Sequence, residues 1–383
     1  MISGKRIFLI LAAVFIFSFA DVSWAQAEVS DLKAKSYILI DADSGKVLLS
    51  KNEHQPLPPA SMTKLMTLFL ALEDVQNGKV TLQDRVTASD YAASMGGSQI
   101  YLAAGEQMTF EELLIAIAVG SANDACVAVA EFLDGSEERF VERMNQKAQT
   151  LGLHDTHFVN SNGLPAPDHR ISSYDMAVIA KEAINDAKVL EYSAVKEYDL
   201  RNGAFKLYNN NKLLWRYEGA DGLKTGWTQE AQYCLVSTAK RDGLRLIAVV
   251  MGVPNVSGHI NESMKLYNNG FSEYSYVKFL DKNNVSGLVK VGKGLAEIVE
   301  AVASANGGTI VLKGEEGKIT CDQHLLPYIE APVLAGQKLG EMVICKDGEI
   351  QKNVDLVAAQ SVPSGGWARG ILKMFAETYL LKG

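Results

Sequence analysis

The chain has 383 residues, of which 48% are hydrophobic and 21% charged, and its formal net charge is −8. This composition is that of an ordinary globular protein rather than a disordered one, and the length allows one large domain plus a smaller one. The negative net charge, with no basic run of five or more residues, argues against nucleic acid as the main partner.

The N-terminus has the pattern of a secretory signal. Lys5 and Arg6 precede an uncharged apolar run over residues 7–20, and the small-residue pattern Ala25-Gln26-Ala27 follows. We therefore predict a signal peptide over residues 1–27 and an exported chain that acts outside the cytoplasm. The alternative is a signal anchor that is not cleaved.

Cysteines and histidines suggest neither a disulfide scaffold nor a metal site. Cys126 and Cys234 lie in apolar stretches and are predicted to be buried free thiols, whereas the pairing of Cys321 with Cys345 is left open. His154 and His157 lie beside a glycine and are interpreted as loop residues. We predict no metal and no cofactor.

The first β-prone stretches lie near the start and end of a long helical region. "SYILIDADSGKVLLSKN" predicts a β-hairpin, and "YCLVSTAKRDGLRLIAVVMGV" predicts two strands joined at Arg241-Asp242-Gly243. Between them, Thr109 and Glu112 form a capping box, and another helix is expected to stop at Gly152. These patterns predict an α/β or α+β domain over residues 28–276, with one sheet covered by helices.

The C-terminal third is β-like and ends in an amphipathic segment. Short β-prone runs, two of them joined by Lys346-Asp347-Gly348, predict a small all-β domain over residues 277–361. In residues 362–383, Trp367, Ile371, Phe375 and Tyr379 form one helical stripe opposite a charged one. This helix is too short to span a bilayer but suits a membrane surface; docking on its own domain is the alternative.

A serine and a lysine lie three residues apart in "PPASMTKLMT". On a helix, Ser61 and Lys64 share one face, so the amine can meet the hydroxyl. A neutral lysine can take the serine proton, but its ordinary pKa of about 10.4 must first be lowered by burial or by a second cation. By itself this pair is weak evidence, because a helix start often carries such residues.

Two further stretches complete a three-part set. "VGSANDAC" places Ser121 and Asn123 in a break between apolar helices, and "DGLKTGWT" places Lys224, Thr225 and Gly226 at the start of a strand. Ser-x-x-Lys, Ser-x-Asn and Lys-Thr-Gly in this order are typical of penicillin-interacting serine enzymes. Their coincidence in one chain is improbable.

The chain resembles the low-molecular-weight penicillin-binding proteins, specifically D-alanyl-D-alanine carboxypeptidases. The resemblance rests on the set above, on "DADSGKVLLSKNEHQPLPPASMTKLMT", "THFVNSNGL" and "LAGQKLGEMVICKDGEI", and on the tail, so it covers essentially the whole mature chain. It implies a DD-peptidase/β-lactamase-like domain, with an antiparallel sheet covered by helices. It also implies a stem peptide ending in D-Ala-D-Ala as substrate, and covalent inhibition by β-lactam antibiotics.

The resemblance also implies roles for the site residues. Ser61 attacks the carbonyl between the two D-alanines, Lys64 takes the serine proton, and Ser121 relays a proton to the leaving amine. Asn123 holds the substrate amide, Lys224 and Thr225 meet the terminal carboxylate, and the backbone N–H groups of Ser61 and Trp227 form the oxyanion hole. Gly226 completes the third motif. Lys224 is also a cation close enough to keep Lys64 poised.

Three positions depart from the pattern of the family. His259 stands where an arginine usually helps to bind the substrate carboxylate, and a histidine does this well only when protonated. Gln232 stands where glycine is common and Asn162 where histidine is common. Neither of these two residues is expected to touch the three-part set.

Other activities remain as alternatives. A class A β-lactamase would need a Glu-x-x-Leu-Asn stretch between the second and third motifs, and none occurs between Asn123 and Lys224. A transpeptidase differs only in the acceptor of the acyl group. A catalytically silent wall-binding protein would have lost Ser61, Lys64 or Lys224.

Overall fold

The structure is a computed structural model that describes residues 31–365. The predicted signal peptide and the predicted helix beyond residue 365 lie outside this range. The chain divides into two compact units, one comprising residues up to Arg241 with Arg245–Ser272, the other Asp242–Leu244 with the residues from Glu273 onward.

The first unit contains one five-stranded sheet and two short two-stranded ones. Its strands are β1 Ser36–Asp41, β2 Val47–Lys51, β3 Arg85–Thr87, β4 Gln107–Thr109, β5 Glu197–Leu200, β6 Phe205–Tyr208, β7 Ala220–Thr228, β8 Gln232–Arg241 and β9 Leu244–Val253. The large sheet has the order β2-β1-β9-β8-β7, and β3 pairs with β4 and β5 with β6. A sheet built from the N- and C-terminal pieces of this unit is therefore confirmed, with β7 at one edge.

Helices fill the sequence between the two halves of the sheet. They are a 3₁₀ helix Ala60–Thr63, α1 Lys64–Gln76, α2 Asp90–Ala93, α3 Phe110–Ile115, a π-helical turn Ala116–Gly120, α4 Asn123–Asp134, α5 Glu137–Thr150, α6 Ser173–Ala183, α7 Ala187–Ala194, α8 Leu213–Arg216 and α9 Gly258–Glu273. The predicted capping box of Thr109 and Glu112 is present at the start of α3. Gly152, with φ of +71°, follows the end of α5.

Helix α4 is the centre of the core. Every residue from Ala125 to Ala130 is at most 1% exposed, which is the environment that a helix with apolar residues on all sides requires. The N-terminus of this buried helix holds Asn123, so the second motif is positioned by a helix that is packed on all sides.

The second unit is all β apart from a single 3₁₀ turn, Glu316–Lys318, within the described residues. Its strands are β10 Tyr274–Leu280, β11 Val285–Gly292, β12 Ile298–Ala303, β13 Gly307–Leu312, β14 Ile319–Leu325, β15 Tyr328–Glu330, β16 Lys338–Lys346 and β17 Glu349–Ala358. Six strands form one sheet, β14-β16-β17-β12-β11-β15, and β10 pairs with β13. Asp347 and Gly348 both have positive φ between β16 and β17, as a two-residue hairpin turn requires.

No helix within residues 31–365 is both long and apolar enough to cross a bilayer.

Candidate active site

The three motifs come together on one side of the first unit. Strand β7 packs so closely on the 3₁₀ helix that a Cβ added to Gly226 would lie 2.8 Å from the Pro59 carbonyl oxygen. On the other side, the Asn123 side chain accepts a hydrogen bond from Lys64. Segments far apart in the chain therefore surround the Ser61–Lys64 pair.

Ser61 lies inside the 3₁₀ helix, and Lys64 is the first residue of α1. The Lys64 Nζ lies 2.9 Å from the Ser61 Oγ. The expected shared face is therefore present, although Ser61 precedes α1 and does not cap it.

Lys64 Nζ has two further hydrogen-bond partners, and both are oxygen atoms that act only as acceptors. It donates to Asn123 Oδ1 at 2.6 Å and to the Asn162 carbonyl oxygen at 2.5 Å. A neutral amine has two N–H donors and one lone pair. Because the two acceptors occupy both N–H groups, the lone pair is left to face the Ser61 hydroxyl, which is the geometry of a general base.

Burial makes this neutral form accessible. Lys64 is fully buried, and desolvation lowers its pKa from the usual range to about 8, although Cys126 and Asp124 act in the opposite direction. Lys224 is 3% exposed, and burial, followed by repulsion from Lys64, lowers its pKa to about 7. Near neutral pH, one of these two amines is therefore neutral in a substantial fraction of the molecules.

Lys224, Thr225 and Trp227 belong to edge strand β7. Lys224 Nζ donates to the Thr225 carbonyl oxygen at 3.0 Å. Trp227 is 59% exposed and lies 6.1 Å from the ring of Tyr233 on β8. Because only β8 pairs with β7 in this sheet, the other edge can receive an extended peptide.

Ser121 lies at the break between the π-helical turn and α4, where its φ is +59°. It is only 4% exposed, and its hydroxyl makes no hydrogen bond within the described range. Asn123 is held more firmly, because its Nδ2 donates to the Gly96 carbonyl oxygen at 2.7 Å. The other N–H of this amide remains for a ligand.

The loop 159–164 reaches the site, contrary to the expectation that Asn162 does not touch the three-part set. The departure from the family pattern concerns its side chain, whereas the contact to Lys64 is made by its backbone oxygen. Gly163, with φ of +89°, lets the loop approach: a Cβ there would lie 1.9 Å from the Ala60 carbonyl oxygen. Only glycine fits this position without moving the backbone beside Ser61.

His169 is a second residue that the sequence did not reveal. Its Nδ1 accepts from the Val159 backbone N–H at 3.0 Å, so its Nε2 carries the proton and donates to Thr63 Oγ1 at 2.8 Å. Burial lowers its pKa to about 4, which keeps the ring neutral. His169 thus connects the loop to Thr63, one of the two residues between Ser61 and Lys64.

His259 is buried rather than poised as a cation. It stacks on Tyr233 with ring centroids 5.4 Å apart, and desolvation lowers its pKa to about 4. The ring is therefore neutral near pH 6.5, whereas carboxylate binding would need it to be protonated.

The four cysteines are all free, and Cys126 and Cys234 are buried as expected. Cys321 lies opposite Ile344 in the ladder and Cys345 opposite Thr320. Since alternate residues leave opposite faces of a sheet, the side chains of Cys321 and Cys345 point apart. Within residues 31–365, no group of three His, Cys, Asp or Glu side chains is placed to hold a metal ion.

A buried lysine aimed at a serine hydroxyl, beside an open strand edge, defines the class of serine hydrolases that act through an acyl-enzyme. Comparison with known proteins identifies the family within this class. Residues 23–255 match the family model described as D-alanyl-D-alanine carboxypeptidase, and residues 274–364 match the model for the C-terminal domain of penicillin-binding protein 5.

Individual relatives agree with these matches. The chain is 40% identical to D-alanyl-D-alanine carboxypeptidase DacF of Bacillus subtilis, over 94% of both chains. Its structure resembles penicillin-binding protein 5 of Haemophilus influenzae, with 32% identity, a TM-score of 0.68, and coverage of 87% of this chain and 98% of that one. It also resembles penicillin-binding protein D2 of Listeria monocytogenes in its ampicillin-bound form, with 30% identity, a TM-score of 0.58, and coverage of 63% and 98%.

The chain therefore belongs to the D-alanyl-D-alanine carboxypeptidase family, with the C-terminal domain of penicillin-binding protein 5. It is a serine carboxypeptidase.

Proposed function

We propose that Ser61 and Lys64 carry out D-alanyl-D-alanine carboxypeptidation of peptidoglycan stem peptides. The observation that carries this proposal is the Lys64 amine, which is buried and placed 2.9 Å from the Ser61 hydroxyl while two acceptors occupy its N–H groups. This is what a lysine base needs in order to act near neutral pH.

In the acylation step, the Ser61 oxygen bonds to the carbonyl carbon of the penultimate D-alanine as its proton passes to Lys64. The backbone N–H groups of Ser61 and Trp227 stabilise the oxyanion. The C–N bond then breaks, the leaving amine takes a proton through Ser121, and D-alanine departs. Water next attacks the ester as Lys64 accepts one of its protons, the C–O bond to Ser61 breaks as that proton returns to the serine oxygen, and the shortened peptide leaves.

Substrate binding is assigned to the open edge of β7 and to Asn123. The extended peptide runs beside β7, with its terminal carboxylate at Lys224 and Thr225, while the free N–H of Asn123 holds a substrate amide oxygen. Since burial keeps the His259 ring neutral, the carboxylate is assigned to Lys224, and its negative charge in turn favours the protonated form of that amine. Gly226 keeps β7 close enough to Ser61 for attack.

β-Lactams are expected to acylate Ser61, since their ring amide occupies the place of the scissile peptide bond. The ampicillin-bound form of the Listeria monocytogenes relative supports this expectation. The acyl-enzyme then persists because the ring-opened product stays in place.

The test compares the native chain with Ser61→Ala. D-alanine release from a pentapeptide stem should be lost in the variant, and a labelled penicillin should mark Ser61 in the native chain alone. An adduct on another residue would overturn the assignment. Adding an amine acceptor separates hydrolysis from transpeptidation: we expect free tetrapeptide rather than the aminolysed product.

We also propose that the mature chain begins after residue 27 and acts at the outer face of the cytoplasmic membrane. The charged and apolar pattern of residues 1–27 and the amphipathic pattern of residues 362–383 support this. Truncation after Gly365 should abolish cosedimentation with anionic lipid vesicles and leave D-alanine release unchanged. Equal binding of both forms would contradict the predicted anchor.

A further inference from the structure

Glu137 is a buried carboxylate that the reaction does not use directly. It is the first residue of α5 and is 7% exposed. No cation forms an ion pair with it within the described part of the chain. A buried carboxylate without a cation needs several hydrogen-bond donors.

Three donors meet this carboxylate. Oε1 accepts from the backbone N–H of Ser161 at 2.9 Å and from its hydroxyl at 2.6 Å. Oε2 accepts from the Tyr91 hydroxyl at 3.0 Å. Two of the three donors thus belong to one residue of the loop 159–164.

Ser161 directly precedes the carbonyl that contacts Lys64. The carbonyl oxygen of Ser161 accepts from Thr67 Oγ1 at 2.6 Å, and Thr67 lies one turn after Lys64 on α1. Asn160 Oδ1 accepts from the Gly163 N–H at 2.7 Å on the other side of Asn162. The direction of the Asn162 carbonyl is therefore set by its neighbours, and Glu137 holds Ser161 from outside the loop and α1 through two hydrogen bonds.

We propose that Glu137 is a positioning residue for the general base. By holding Ser161 at two points, it aims the Asn162 carbonyl at Lys64, so that one N–H of the amine is occupied and the lone pair faces Ser61. The inference rests on the proposed role of Lys64 as the base.

The first variant is Glu137→Ala. We expect the rate constant for acylation by a β-lactam to fall at least ~10-fold, because misplacement by about 1 Å can cost as much as 100-fold in rate. The affinity of the non-covalent complex should change little. Titration with labelled penicillin gives the fraction of folded, reactive enzyme and corrects the rate for any loss of stability.

Glu137→Gln tests positioning against charge. The Gln amide oxygen can still accept from both groups of Ser161, and its amide nitrogen can donate to the Tyr91 oxygen. We expect this variant to acylate within about threefold of the native rate. A loss as large as that of Glu137→Ala would overturn the proposal.

Ser161→Ala removes one of the two ties and leaves the backbone one. A loss of roughly two- to fivefold is expected, smaller than that of Glu137→Ala. This variant and Glu137→Gln keep the proposal testable if Glu137→Ala does not fold. The matched control is Glu138→Ala, the exposed neighbour on α5, which should acylate at the native rate.

The pH profile separates positioning from mere stabilisation of the fold. Losing the Asn162 acceptor removes a hydrogen bond that favours the charged amine, so the acid limb of acylation in Glu137→Ala should move to lower pH. Asp124, Cys126 and Lys224, the other titratable groups that act on the two lysines, are unchanged. A native profile together with a native corrected rate would refute the role of Glu137. If the Lys64→Arg variant also kept its activity, the assignment of Lys64 as the base would be wrong, and not only the positioning role of Glu137.

Discussion

The lysines of the two units occupy opposite environments. In the first unit, Lys64 and Lys224 are buried and have neutral oxygen partners, and their pKa values are lowered. In the second unit, Lys318 and Lys338 are exposed and pair with carboxylates, and their pKa values are raised.

The difference separates lysines whose environment suits a base from lysines that solubilise a surface. An exposed ion pair contributes little to stability and keeps the amine charged. A buried amine without a carboxylate partner opposes folding, yet it can exchange a proton near neutral pH. A low lysine pKa together with a nearby hydroxyl is thus evidence for function in the first unit, and the second unit shows nothing comparable within its described residues.

The largest effect is expected from Lys64→Arg. Arginine keeps the positive charge but does not deprotonate in proteins, so it cannot act as a base. Acylation by a labelled penicillin should slow by about 10³-fold, measured by stopped-flow. Lys338→Arg, in the second unit, should acylate at the native rate, and a Lys64→Arg variant that retains a tenth of native activity would exclude Lys64 as the base.

Gly163→Ala should impair both folding and acylation. Its Cβ would collide with the Ala60 carbonyl oxygen next to Ser61, in addition to the strain of a positive φ. We expect a clear fall in the thermal midpoint and an acylation rate lowered by ~10-fold or more. Gly105→Ala is the control, since Gly105 has φ of +80° but open space around it; equal effects of the two changes would exclude the collision.

Lys224→Met should stabilise the first unit at pH 7 while it impairs catalysis. Replacing a buried amine by an apolar chain of similar length removes a desolvation cost of the order of 3 kcal/mol. Calorimetry should show a thermal midpoint higher by about 5 °C or more. As a control, Lys338→Met should lower the thermal midpoint of the second unit, to which Lys338 belongs, by less than about 2 °C.

The same comparison predicts the pH dependence of this stability. A lysine with a lowered pKa binds fewer protons when folded than when unfolded between about pH 7 and 10.5. Native stability from this group therefore rises with pH across that window, and Lys224→Met should flatten the rise. A curve with the same slope in both proteins would contradict the burial of Lys224.

Lys224→Ala should move the acid limb of the acylation rate to higher pH. Lys64 repels Lys224 and lowers its pKa; because such a repulsion is reciprocal, removing Lys224 should raise the pKa of Lys64 above its value of about 8. The limb is measured with a β-lactam across pH 6–10. An unmoved limb would show that burial alone sets the pKa of Lys64.

The smallest effect is expected at His259. Because its pKa lies near 4, the ring is neutral throughout the working range, and His259→Gln should change KM for a D-Ala-D-Ala peptide by less than about threefold. A KM that rises between pH 5.5 and 7.5 in the native chain, but not in the variant, would refute the neutral ring.

The sequence was sufficient to predict the chemistry but not the support around it. Short motifs within single stretches were enough to predict Ser61, Lys64, Asn123 and Lys224 as site residues, and the structure brings Lys64 within hydrogen-bond distance of Ser61 and Asn123. Asn162, Glu137 and His169 could not be predicted in this way, because Asn162 acts through a backbone carbonyl, Glu137 binds Ser161 from 24 positions away and His169 binds Thr63 from 106 positions away. The only local signal was Gly163 in a polar stretch, which marks a close approach without identifying its partner.

The strands and helices were predictable where the periodicity of apolar residues and the residues of the turn indicate the same element, as in the hairpin of β16 and β17. The order of the sheets was not, because pairing between distant strands leaves no local pattern; β11 and β15, for example, pair in parallel. The domain limits at residues 276 and 361 remain predictions.

The complete burial of Lys64 has a consequence for proton exchange between the active site and the solvent. In the proposed reaction, the proton taken from Ser61 does not pass directly to bulk solvent, since the Lys64 amine that accepts it is fully buried. The proton stays at the site until it is transferred to the amine of the departing D-alanine. Turnover should accordingly be insensitive to the concentration of external buffer, because D-alanine carries away the proton taken from Ser61 and water supplies the proton that returns to Ser61 in deacylation.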